Sequence, residues 1–177
     1  MQKENTRRNL AVALISLAAT AVFSFVASWL PFGDRLLLAQ IPVLLCGLLA
    51  GAPYGAVLGV ITPFFLFFIT GAPTLFPDAI AMSVEYFLFG VVACPIFRSF
   101  ARSAESLYAG LGTAMLAGRA GYTAAMYIMI ELQHVDFALK PVLESEVLFV
   151  WPGILLQLIV IPLLMFVADN LGLLDDE

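Results

Sequence analysis

Glu85 and Arg119 are charged residues set deep inside apolar stretches of a 177-residue chain. An unpaired charge at the centre of a bilayer costs at least ~2.5–3.5 kcal/mol on insertion scales. Each therefore needs a partner or a function. On antiparallel neighbouring helices rising ~1.5 Å per residue, the two fall within about a turn of the same depth. An ion pair that only fixes helix register is one reading, and the polar floor of a ligand pocket is the other. Further groups at this level favour the pocket: Tyr86 and Tyr122 adjoin the charges, Tyr127 lies one to two turns outward, and Gln157 sits inside the last apolar segment. Glu131, His134, Glu146 and Trp151 are placed to line its mouth, although Trp151 also fits an interfacial belt. One acid, one base and several aromatics suit a small amphipathic or zwitterionic organic molecule, with the rings supplying area and the charges orientation.

The elements that carry these residues follow from composition. Hydrophobic residues make up 62% of the chain and charged residues 12%, against roughly a quarter charged in ordinary soluble domains. The mean hydropathy is +1.01. Such a chain is expected to be an all-α integral membrane protein, because in hydrocarbon a helix satisfies its own backbone and an open strand does not. Polar and Pro/Gly punctuation marks six apolar segments, at about 9–30, 36–50, 54–69, 78–97, 106–130 and 147–168. They predict a single domain over 1–177, a compact bundle of six transmembrane helices. Lys3, Arg7, Arg8, Arg98 and Arg102 fall on one side, and Arg35 and Lys140 on the other. The excess of basic residues places both termini in the cytoplasm. The links expected outside (31–35, 70–78 and 131–146) are richer than the inner ones, so a site is expected to open outward.

Small residues form two further patterns. Gly47, Gly51, Gly55 and Gly59 recur every four positions on either side of Pro53 and predict close helix packing. Ser16, Thr20, Ser24 and Ser28 form a ridge on the first helix, read either as internal packing or as a docking face for another subunit. Cys46 and Cys94 lie in apolar runs and are expected to be small buried hydrophobes. No cleavable signal peptide is expected, since the first apolar run is long and has no clear cleavage site.

Several functions find no support. The net charge is −5 with no basic stripe, which argues against nucleic acid as a partner. The chain has no phosphate-binding loop, no H-E-x-x-H and no G-x-S-x-G, and one histidine builds no histidine-based metal site. It is expected to be no enzyme and to need no cofactor or metal, and it carries nothing that binds ATP.

A specific resemblance runs through Ile41-Pro42-Val43-Leu44-Leu45, Gly47, Gly51-Ala52-Pro53-Tyr54-Gly55, Thr70-Gly71-Ala72-Pro73-Thr74-Leu75-Phe76-Pro77 and Ala79-Ile80-Ala81-Met82, closing on Glu85 and Gly90. These residues, about 41–90, resemble the substrate-binding S components of energy-coupling factor (ECF) vitamin transporters, and the six-helix layout is similar over nearly the whole chain. The resemblance implies a multi-pass protein of the bacterial plasma membrane that binds a vitamin or similar micronutrient from outside. It further implies delivery by docking to a transmembrane coupling protein driven by two cytoplasmic ATPases. Glu85 falls on the family's glutamate after Ala79-Ile80-Ala81-Met82, and 70–77 on its lid. The family often carries Ala-x-x-x-Ala on the first helix for docking; here Ser16, Thr20 and Ser24 stand nearest to it. Two other functions fit the same composition: a structural subunit that scaffolds an envelope complex, and a stand-alone secondary transporter.

Overall fold

The computed structural model describes residues 2–30, 36–99, 103–132 and 151–172, and among them every regular element is helical. In chain order these are α1 (Gln2–Trp29), α2 (Gln40–Ala50), α3 (Ala52–Thr70), a single π-turn (Leu75–Ala79), α4 (Ile80–Ser99), α5 (Ala104–Glu131) and α6 (Trp151–Asn170). Among the described residues four stretches are long and apolar enough to cross a membrane: Asn5–Trp29, Ala52–Thr70, Leu75–Ser99 and Trp151–Asn170. The second apolar segment, expected at 36–50, is helical only from Gln40, because 36–39 form a tight turn. Its 11 residues span ~16 Å at the α-helical rise, about half a bilayer core. The fifth, expected at 106–130, is α5, which has the length to cross but carries Glu105 and Glu131 in its end turns and Arg119 in its interior.

Local chemistry sets the turns. Gly51 joins α2 to α3 with φ 100°, a conformation open to glycine, and Pro53 sits in the first turn of α3, where its missing N–H costs no hydrogen bond. Gly71 ends α3 in the left-handed region, its N–H donating to the Phe67 carbonyl at 2.9 Å. Ser103 caps α5 by accepting from the Ser106 N–H at 3.2 Å.

α4 is the hub, packed on α2, α3 and α5; α1 lies against α2 and α3, and α6 against α2 and α5. Tyr86 and Phe89 of α4, Leu44 and Leu48 of α2, Leu111 of α5 and Ile161 of α6 form the centre of the core. The outward faces are also apolar, with Leu14, Ile15, Val22, Phe68, Leu116, Ile159 and Phe166 all exposed. A helix apolar on both faces is what a lipid surround requires. Arg98, at the end of α4, lies beside Gly51, so the α2–α3 turn and the end of α4 share one end of the bundle. Residues near the α3–α4 link therefore gather at the other end.

Candidate functional site

Glycines bring the site's helices together. A Cβ on Gly55 of α3 would lie 2.5 Å from the Gly47 Cα of α2 and 3.1 Å from the Gly90 Cα of α4. A Cβ on Gly59 would run into the Tyr86 backbone, and one on Gly90 into the backbone of Gly55 and Ala56. The four-residue glycine spacing is thus an internal packing surface, and it clamps the segment of α4 that bears Glu85 and Tyr86. On the other side, a Cβ on Gly118 of α5 would collide with the Phe89 ring and stand 3.2 Å from the Glu85 Cγ. That approach sets the next residue, Arg119, against Glu85.

The two charges pair. Arg119 Nη1 lies 3.2 Å from Glu85 Oε1, with side-chain exposures of 15% for the arginine and 2% for the glutamate. The same carboxylate oxygen accepts from Gln40 Nε2 at 3.4 Å. Gln40 Oε1 in turn accepts from Gln157 Nε2 at 3.0 Å, and that amide also approaches the Leu37 carbonyl at 3.4 Å. The result is a line from α6 through α2 to α4 and α5, with both amides donating toward the carboxylate. Its direction is fixed by charge: a flipped Gln40 would turn its oxygen onto the carboxylate and its NH2 onto the NH2 of Gln157. The far end is left with a buried acceptor, Gln157 Oε1, that has no hydrogen-bond partner among the described residues.

Above the pair lies a cavity of about 750 Å³, within the range of small-molecule sites. Its walls come from α1 (Ser24, Phe25, Ser28), the turn before α2 and its first residue (Leu37, Leu38, Gln40), the end of α3 (Leu66, Ile69, Thr70), Ala72 and Pro73, α4 (Met82, Glu85, Tyr86) and α5 (Arg119, Tyr122). Most of this lining is apolar, and its linked polar groups, Gln40, Glu85 and Arg119, lie together. The Thr70–Pro73 rim is tied locally, with the Ala72 N–H donating to Thr70 Oγ1 at 3.2 Å and Thr74 Oγ1 donating to Asp78 Oδ2 at 2.7 Å. Tyr86 is buried and stacked on Phe89 with ring centroids 5.8 Å apart, so it presents little of its ring to the cavity.

Of the residues singled out in the sequence, Glu85, Arg119, Tyr86 and Tyr122 line the cavity. Gln157 is fully buried behind Gln40 and acts on the site through it. Trp151 and Tyr127 are 58% and 49% exposed and stand outside the cavity walls, as does the exposed Glu131. His134 and Glu146 lie outside the described residues. Among the described residues no group of His, Cys, Asp and Glu is placed to hold a metal.

The first-helix ridge divides: Ser16 and Thr20 are buried, as internal packing requires, and Ser28 is exposed. Thr20 is fully buried, donating to the Ser16 carbonyl at 2.8 Å, and Ser16 is buried within hydrogen-bonding reach of Cys46. Ser24 faces the cavity. Side chains enclosed by their own bundle offer no surface to a second protein in this conformation. Gln40, Ser24 and Ser28 belong to the cavity although the sequence reading did not place them there. For Gln40 the signal was present: a lone amide one turn inside an apolar run.

Compared with models of protein families, with curated proteins and with solved structures, the chain matches none.

Proposed function

We propose that this chain is a multi-pass plasma-membrane protein of six spans, both termini cytoplasmic, that captures a small organic solute at its outer end. In this reading the second crossing is completed by the turn at 36–39 and the short α2, which the Gly51 turn joins to α3, and α5 crosses with Arg119 neutralised by Glu85. The basic flanks, Arg7 and Arg8 before the apolar part of α1 and Arg98 at the end of α4, support the orientation. The single observation that carries the proposal is the cavity of about 750 Å³, apolar in its walls, with a paired acid and base at its floor. An ion pair needed only to fix helix register has no use for such a space beside it.

Together with the motif resemblance over about 41–90, this supports the substrate-capture subunit of an ECF-type importer, binding a vitamin or similar micronutrient. A transmembrane coupling protein and two cytoplasmic ATPases then supply the energy. Docking to that module falls to surfaces other than Ser16 and Thr20. Mild-detergent purification from native membranes tests the assignment. A coupling protein and an ATPase pair are expected to come with the chain. Co-purification of envelope-synthesis proteins instead supports a scaffold, and ion-driven uptake without ATPases a stand-alone transporter; either would overturn it.

A further inference from the structure

The two charges at the cavity floor are unequally available. The Glu85 side chain is 2% exposed, and its Oε1 is approached by both Arg119 and Gln40. Arg119 is 15% exposed and sits in the cavity wall. A solute entering from the cavity therefore meets the N–H groups of a guanidinium, with the carboxylate behind it.

We infer that Arg119 is the ligand's polar anchor and Glu85 its positioning residue, and that the ligand is a neutral molecule presenting a carbonyl or ring-nitrogen acceptor to Arg119. This rests on the cavity being a solute site. Three physical points lead to it. The pair is already balanced, so an anion would leave an uncompensated negative charge in a desolvated site, and burying such a charge is costly. A cation would have to approach Arg119 to reach a carboxylate that has almost no accessible surface. A zwitterion meets the same obstacle at its ammonium end. What gains is a neutral acceptor, because a hydrogen bond from a charged donor is stronger than one between neutral groups and no net charge is buried. Phe25, Leu38, Leu66 and Met82 in the walls suit an apolar body on that headgroup.

The test uses three isosteric probes of different charge: benzamide (neutral), benzoate (anion) and benzamidinium (cation). Binding to the full-length chain in nanodiscs is measured by ligand-observed NMR, with empty nanodiscs as the blank. Wild type is expected to bind benzamide at least ~tenfold more tightly than either charged probe. Glu85→Gln leaves Arg119 unbalanced, and the order is expected to change so that benzoate binds best. A wild type that prefers benzoate or benzamidinium overturns the neutral-ligand inference and leaves the cavity reading standing. Binding of none of the three, or binding that persists in the cavity-filling Ser24→Trp, overturns the cavity reading and the inference with it.

Discussion

Gln157 donates its side-chain amide to the side-chain carbonyl of Gln40 at 3.0 Å, joining positions 117 residues apart and tying α6 to the floor of the cavity. Because Gln40 then donates to Glu85, the two amides share one direction, and the charge on Glu85 sets it.

That direction predicts unequal costs. Gln40→Leu strips a donor from Glu85 and leaves the Gln157 amide short of its best acceptor, for about 1–3 kcal/mol. Gln157→Leu also removes an acceptor that is already unsatisfied, so its cost is smaller. Unfolding midpoints in detergent are expected to fall in the order wild type, Gln157→Leu, Gln40→Leu. The reverse order of the two variants would contradict the relay.

The ion pair predicts strong coupling. Arg119→Gln leaves the carboxylate of Glu85 buried without its countercharge, at about 3–5 kcal/mol. Adding Glu85→Gln removes that charge, and the double variant is expected to recover most of the loss. A double-mutant cycle on unfolding free energy measures this; additive costs would mean that the two side chains do not depend on each other.

Glycine contacts predict a sharp positional contrast. Gly90→Val drives side-chain atoms into the backbone of Gly55 and Ala56 and is expected to cost at least about 1–3 kcal/mol or prevent folding. At Gly112, with nothing within 4 Å of a new Cβ, alanine is expected to be neutral or to stabilise by up to about 1 kcal/mol. Yield and unfolding midpoint distinguish the two.

Orientation is open to labelling, because Cys46 and Cys94 are buried and give a quiet background. A membrane-impermeant maleimide added to intact cells is expected to modify Thr74→Cys, and to reach Ser103→Cys only after permeabilisation. The opposite pattern inverts the topology.

The charged pair was legible in the sequence because isolated charges in an apolar stretch are costly, and antiparallel depth alone brought Glu85 and Arg119 together. The glycine ridge was legible for a similar reason, since spacing of four puts Gly55 and Gly59 on one helix face. Gln40 escaped because it stands near the start of its apolar run, where an amide can reach water, whereas Gln157 stands well inside one. The inward turn of Ser16 and Thr20 had no signature: where lipid replaces water, both faces of a helix are apolar, and hydroxyls that bond their own helix suit either side. The late start of α2 was hidden in the same way, because 36–39 are nearly as apolar as the helix that follows.

Native mass spectrometry of the chain released from its own membranes tests the central claim most directly. Wild type is predicted to retain one small organic molecule per chain, and the folded double variant Glu85→Gln/Arg119→Gln to lose it. A wild type that carries no small molecule, or a double variant that keeps the same one, would contradict the assignment of this cavity as a solute-binding site.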